Sequence, residues 1–224
     1  MTSTFETDVI STSAGDVAIT FIGHGSLMME FNSKIIHIDP YSDVADYSQL
    51  PKADIVLITH EHGDHLDLDA LRHVRTKKTI IVLTELCAAK VKDGIVMRNG
   101  EMREAGGLIL NAVPAYNIVN KRPDGAPFHP KGAGNGYIIT FGDTRIYIAG
   151  DTENTPEMKK LQNISIAFLP MNLPYTMTPE MVADAARSFR PRILYPYHFG
   201  ETEPSRIMGL LNGEDMEIRI RKMA

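Results

Sequence analysis

The stretch Asp54-Ile-Val-Leu-Ile-Thr59-His60-Glu61-His62-Gly63-Asp64-His65 decides how this chain is read. Residues 54–58 are β-branched and apolar almost throughout, as expected for a strand buried on both faces. Directly after that strand, three histidines and Asp64 fall within six residues. Neutral imidazole is the commonest metal ligand near pH 7. In a loop leaving a strand, His60 and His62 can point the same way and share one metal. Gly63 permits a sharp bend, so Asp64 and His65 can face a second position nearby. The chain has 8 histidines, and chance would not gather three of them into one short solvated loop.

Outward from this loop the chain alternates short strands with turns. Strands are expected at 16–22, 27–31 and 34–38, punctuated by Gly23 and Gly25 and stopped by Asp39-Pro40. Helices are expected at 66–75 and 84–92, with a strand at 80–83 between them. A strand at 108–113 leads into a long polar loop containing Pro123, Pro127 and Pro130. The second half predicts a hairpin of 137–141 and 145–149, a helix near 155–161 and a buried strand at 164–169. Thr178-Pro179-Glu180 is a capping pattern that opens a helix over 178–189. A short strand at 193–195, a helix at 203–211 and a strand at 217–220 complete the chain. Lys34-Ile-Ile-His-Ile-Asp39 is echoed by Arg145-Ile-Tyr-Ile-Ala-Gly-Asp151, each followed by a spacer and a buried strand. The echo suggests two similar β-rich layers, each covered by helices. No linker near residue 110 separates them, so residues 1–224 read as a single domain.

Composition narrows the function classes. With 224 residues, 43% hydrophobic and 23% charged, the chain is globular rather than disordered. A net charge of −5, with only the short basic tail Arg219, Arg221 and Lys222, offers no electrostatic footing for nucleic acid or anionic membranes. The single cysteine, Cys87, excludes an intramolecular disulfide and a cysteine-based zinc cluster, and fits a reducing compartment. Residues 1–8 show neither the basic nor the apolar region of a signal peptide, and no run nears the ~20 apolar residues that span a bilayer. The expectation is a soluble, cytoplasmic protein acting on a small-molecule substrate. Homo-oligomerisation stays open.

His-x-His-x-Asp-His after a buried strand resembles the metallo-β-lactamase superfamily. Gly23-His24-Gly25-Ser26, Ile38-Asp39-Pro40, Ala149-Gly150-Asp151-Thr152 and Pro196-Tyr197-His198 sharpen the resemblance. They follow the order seen in its metal-dependent hydrolases related to ascorbate-6-phosphate lactonase and N-acyl-phosphatidylethanolamine phospholipase D. The resemblance covers nearly the whole chain. It implies an αββα sandwich, α/β in class, with two mixed sheets flanked by helices and a binuclear site at one edge. His60 and His62 would serve the first metal, Asp64, His65 and His198 the second, and Asp151 both. Two divalent ions, zinc first and manganese or iron as alternatives, would share a bridging water or hydroxide, with Asp64 also orienting that nucleophile. The leading substrates are a phosphodiester or a lactone. A flavodiiron-type oxidoreductase on the same fold is the alternative, but that family has Glu where this chain has His62. A non-catalytic protein with a degraded metal site is a third reading.

That third reading comes from one departure. The family usually supplies a further histidine to the first metal from the loop after a mid-chain strand. Here that stretch is Val113-Pro114-Ala115-Tyr116-Asn117. A phenol, with its pKa near 10, is a poor neutral ligand. His129 is the unassigned histidine between residues 74 and 197, and its loop is long enough to fold back. The expectation is therefore that His129 completes the first position, with Tyr116 lining the pocket and its hydroxyl free. His24, in a Gly-flanked turn, is expected in the pocket wall, and Asp39 is expected to orient a ligand histidine. His37 reads as a structural strand residue, His73 as surface and Cys87 as packing. Met171, Met177 and Met181 read as core, and Pro174-Tyr175-Thr176 as one wall of the pocket.

Overall fold

The computed structural model describes residues 5–224. Residues 1–4, part of the stretch read above as lacking a signal peptide, lie outside it. The first seven strands form one sheet in chain order: β1 (Glu6–Thr12), β2 (Gly15–Gly23), β3 (Ser26–Phe31), β4 (Lys34–Ile38), β5 (Ile55–Leu57), β6 (Ile80–Leu83) and β7 (Ile95–Val96). The second sheet holds β8 (Met102–Ala105), β9 (Leu108–Ala115), β10 (Gly134–Phe141), β11 (Thr144–Ile148), β12 (Ile166–Pro170), β13 (Ile193–Tyr197) and β14 (Glu217–Ile218). Each sheet opens antiparallel and becomes parallel, the first at β4–β5 and the second at β11–β12. The echo between the halves is therefore architectural: β4 and β11 hold equivalent places.

Alternation along the central strands explains the layers. Ile55 and Leu57 of β5 join the core between the sheets, with Phe21, Ile36, Tyr137, Ile139 and Ile148. Val56 and Ile58 point the other way and pack with Leu71 and Val74 of α1 (Leu68–Val74). Val82 faces inward while Ile81 and Leu83 face outward, repeating the rule one strand over. Val182, Ala185, Ala186 and Phe189 of α2 (Pro179–Phe189) cover the second sheet, assisted by Ile207 of α3 (Arg206–Leu210). Each fully buried Ile, Leu or Phe contributes about 1.5–3 kcal/mol from area removed from water. The result is the expected α/β sandwich of two mixed sheets flanked by a few short helices. Among the described residues, no helix is long and apolar enough to cross a membrane.

Some sequence expectations need correction. The helix expected at 84–92 is only a 3-10 turn at Cys87–Ala89, begun by the Thr84 hydroxyl, which accepts from Cys87 N–H at 3.4 Å. The helix expected near 155–161 is a 3-10 turn at Met158–Lys160. There the Thr155 hydroxyl accepts from Met158 N–H at 3.1 Å, and Leu161 turns extended to pack against the core. α3 is shorter than 203–211, and β14 shorter than 217–220. β1 escaped detection because it is an edge strand with a polar sequence: of its apolar residues, Ile10 is buried while Val9 is 61% exposed. α2 begins as expected, with the Thr178 hydroxyl accepting from Met181 N–H at 3.2 Å and Pro179 in the first turn.

Candidate metal centre

Loops from the same edge of both sheets meet at one cluster. The loop after β5 starts at Thr59, whose N–H donates to Asp39 Oδ1 at 2.8 Å and whose hydroxyl donates to Asp39 Oδ2 at 2.5 Å. His62 carbonyl accepts from His65 N–H and Leu66 N–H, closing a turn just before α1. Asp67 caps α1 by accepting from Asp69 and Ala70 N–H groups, and Ser42 N–H donates to its other oxygen. The histidine loop is thus pinned at both ends, by Asp39 and by the helix start.

Two groups of side chains converge there. His60, His62 and His129 form one, their potential ligand atoms all within 4.8 Å of each other. His24, Asp64, His65 and His198 form the other under the same limit. His60 Nε2 lies 3.1 Å from His62 Nδ1, and His65 Nε2 lies 3.2 Å from His198 Nε2. Asp151 stands between the groups. Its Oδ1 is 3.4 Å from His65 Nε2 and 3.3 Å from His198 Nε2, while Oδ2 is 3.3 Å from His129 Nε2. Oδ1 is buried without a hydrogen-bond partner. An orphaned carboxylate oxygen among inward-aimed ring nitrogens is costly for a neutral interior and suits a cation. The donor set of imidazole and carboxylate fits a first-row divalent metal.

The electrostatics follow from burial opposed by charge. Burial alone would raise the Asp151 carboxyl, but His198 and His65 outweigh it and hold it well below the usual carboxylate range. Burial alone would lower His65, but Asp151 and Asp39 outweigh it and push it up to about 10. Burial pushes His198 down to about 4, and it lowers His60 and His62 as well, aided by neighbouring histidines. Asp64 is lowered despite its burial, chiefly because His24 donates to it from Nε2 at 3.1 Å.

Close packing brings these loops together. A Cβ on Gly25 would sit 2.9 Å from His65 Cε1 and 3.5 Å from His198 Cδ2, so the glycine leaves room for both rings. His24, Asp39 and His198 adopt left-handed backbone, with φ of 53°, 44° and 46°. Such conformations cost about 1–3 kcal/mol each in non-glycine residues and gather at functional sites. His198 N–H donates to the His24 carbonyl at 3.1 Å, tying the loop after β13 to that after β2.

The other residues singled out by the sequence fall as follows. Asp39 lies behind the site, its Oδ2 accepting from His65 Nδ1 at 2.8 Å. His24 is close enough to count within the second group rather than only in the wall. His37 is buried in β4, its Nε2 3.0 Å from the Pro51 carbonyl. His73 is half-buried on α1, and Cys87 is fully buried. Met171 and Met177 are core. Tyr116 requires correction: its hydroxyl is not free and does not reach the cavity. It donates to Glu157 Oε2 at 2.8 Å and accepts from Lys131 Nζ at 3.3 Å, and Tyr116 is not among the residues lining the cavity.

Sequence reading missed the support for His129. Its Nδ1 and its backbone N–H both lie against Asn117 Oδ1, at 2.7 and 2.8 Å. Asn117 in turn donates to Glu153 Oε1 at 3.3 Å, and the backbone N–H groups of Ile118, Val119 and Asn120 donate to the same carboxyl at 2.6–2.7 Å. Glu153 is fully buried. The one available signal was its position two residues after Asp151. Above the cluster opens a cavity of about 470 Å³, floored by His62, Asp64, Asp151 and His198 and walled by Arg122, Phe128, Asn172 and Tyr175.

The model of the Beta-lactamase superfamily domain matches residues 18–198. A UPF0173 metal-dependent hydrolase of Methanopyrus kandleri is 31% identical over 203 residues, which cover 83% of this chain and 85% of its own. A protein of Parabacteroides distasonis, described with its crystal structure as a candidate metal-dependent hydrolase, is 47% identical with a TM-score of 0.95, covering 99% of this chain and all of its own. Igni18, a metallo hydrolase of Ignicoccus hospitalis, is 24% identical with a TM-score of 0.75 over 92% of this chain and 95% of its own, and speaks for the fold alone. The family match takes in most of both sheets and every loop from His24 to His198, and on that extent the chain belongs to the metallo-β-lactamase superfamily, as one of its metal-dependent hydrolases.

Proposed function

We propose that the cluster holds two divalent metal ions, zinc first among the candidates, and that the protein hydrolyses a small phosphodiester or lactone-type substrate bound in the cavity above them. The observation that carries this reading is Asp151, whose two oxygens face two different groups of histidines. His60, His62 and His129 would hold one ion, Asp64, His65 and His198 the other, with Asp151 shared. Bound ions of this kind polarise a carbonyl or phosphoryl oxygen and make water acidic enough to react near neutral pH.

The chain's own residues supply position. Asp39 accepts from His65 Nδ1, which turns Nε2 toward the cluster and fixes the tautomer. Asn117 does the same for His129 through Nδ1. Asp64, whose side chain is 36% exposed against 4% for Asp151, is the more open of the two carboxylates lining the cavity. Lowered in pKa and held by His24 Nε2, it stays ionised and orients the attacking water by accepting its proton in a hydrogen bond. The walls Phe128 and Tyr175 exclude water from one side of the bound substrate. A cluster fed by loops of both sheets also favours reading the chain as one domain.

The test is a panel of generic phosphodiester, lactone and thioester substrates assayed with zinc- or manganese-loaded protein. Turnover of a phosphodiester or lactone that depends on the loaded metal and that Asp64→Asn abolishes supports the reading. A metal-loaded protein that turns over only thioesters, or activity untouched by Asp64→Asn, overturns it.

A further inference from the structure

The cavity walls carry a feature that hydrolysis at the cluster does not use. Arg122 is the one lysine or arginine among the residues lining the cavity. Its described contacts are a weak hydrogen bond from Nη2 to the Phe128 carbonyl at 3.4 Å and a position over the Phe128 ring, with Cζ 5.1 Å from the centroid. No carboxylate pairs with it among the described residues. Lys131, by contrast, is taken up by Glu157 at 2.7 Å.

Arg122 is also held in place. Its backbone N–H donates to the Ala126 carbonyl at 2.7 Å, its carbonyl accepts from Gly125 N–H at 2.9 Å, and Lys121 bridges to Pro127. Phe128 packs edge-on against Tyr175, with centroids 5.1 Å apart and planes at 79°. Tyr175 is 46% exposed, and its carbonyl accepts from Asn117 Nδ2 at 2.8 Å. The mouth thus presents a guanidinium on a turn held by backbone hydrogen bonds, beside two aromatic rings and without a carboxylate partner among the described residues.

We propose that Arg122 is the specificity residue for an anionic group of the substrate, a carboxylate or phosphate separate from the bond that is cleaved, with Phe128 and Tyr175 receiving a flat or apolar part beside it. This rests on the hydrolase reading, because it places the substrate in the same cavity. The guanidinium fork matches a carboxylate or phosphate in two parallel hydrogen bonds, and stacking on an aromatic ring leaves its donor edge free. The substrate class is therefore narrowed to small molecules carrying an oxyanion in addition to their hydrolysable ester.

The test uses metal-loaded protein and two probes of one shape, 1-naphthalenesulfonate and 1-naphthalenemethanol, titrated by fluorescence. The sulfonate is a weak metal ligand and a good partner for arginine. Wild type should bind it about tenfold more tightly than the alcohol, the ratio expected from one charge-assisted pair at a half-open site. Arg122→Gln should bring the two affinities together without changing metal content, and Arg122→Lys should keep part of the preference. No preference in wild type, no saturable sulfonate binding, or a preference that survives Arg122→Gln would each overturn the proposal. The hydrolase reading fails separately: a protein that keeps the Arg122-dependent preference yet holds no metal retains the anion site and loses the metal chemistry.

Discussion

Asp39 follows β4 and Asp151 follows β11, and at each of these strands the sheet changes from antiparallel to parallel pairing. The two carboxylates follow equivalent strands of the two sheets and approach the His65 ring at its two nitrogens, Asp39 at Nδ1 and Asp151 at Nε2. Asp39 is filled: both oxygens accept from Thr59, and Oδ2 also takes His65 Nδ1. Asp151 faces ring nitrogens of His65, His198 and His129, and its Oδ1 is left without a hydrogen-bond partner. One position of a repeated architecture holds a histidine from behind, and the other, on the function proposed above, would take a cation. The supports differ too. His65 leans directly on a carboxylate, whereas His129 leans on Asn117, which leans on Glu153.

The largest expected effect comes from removing the shared group. Asp151→Asn should weaken metal binding by more than about 100-fold, beyond the cost of losing a residue that only orients a ligand. Competition against a chromophoric chelator reads this directly. A variant that keeps both ions and loses only about 1 kcal/mol of stability would mean that Asp151 is a structural cap.

The two supports should separate next. Asp39→Asn should cost about 10–100-fold in metal affinity at the group containing His65, and leave the group containing His129 nearly intact. Glu153→Gln should do the reverse, because its carboxylate accepts from Asn117 Nδ2 and from three backbone N–H groups of the loop that carries Asn117, and an amide NH2 cannot accept from them. Site-resolved occupancy from anomalous diffraction of each variant distinguishes the patterns. Equal losses at both groups in both variants would erase the distinction between the supports.

Proton release offers a quieter contrast. His65 is pushed up to about 10, so near pH 7 its ring carries an extra proton that a metal must displace. His60, His62 and His198 are lowered and compete with no such proton. Since lower pH favours the metal-free form, apparent affinity at the second group should rise about tenfold per pH unit between pH 7 and 9, and change less at the first. Calorimetry in buffers of different ionisation enthalpy should count one proton released with the second ion. No release would mean that His65 is neutral before binding.

The smallest effect belongs to Tyr116. Tyr116→Phe removes its hydrogen bonds to Glu157 and Lys131, so stability should fall by about 1 kcal/mol while turnover stays within about twofold. A large loss of turnover would return the hydroxyl to the pocket.

The contrast between the sheets also explains what the sequence could disclose. The first sheet delivers His60, His62, Asp64 and His65 from one continuous loop, so a local motif announces them. The second delivers His129, Asp151 and His198 from three loops. Asp151 and His198 became visible through family resemblance, and His129 only by elimination. Asn117 and Glu153 were not visible, because their role depends on a contact across 36 residues of chain. Tyr116 was misjudged for the same reason: its neighbour in sequence is the site, but its hydroxyl bonds to Glu157, 41 residues away. Central strands such as 54–58 could be read from apolar runs, while the polar edge strand β1 could not.

The most direct test of the shared Asp151 is an anomalous diffraction map of zinc- or manganese-loaded protein. Two peaks are expected, roughly 3.5–4 Å apart, with one Asp151 oxygen on each and a His129 ring nitrogen about 2.0–2.1 Å from the peak beside His60 and His62. A single peak, or two peaks that leave Asp151 or His129 uncoordinated, would contradict it.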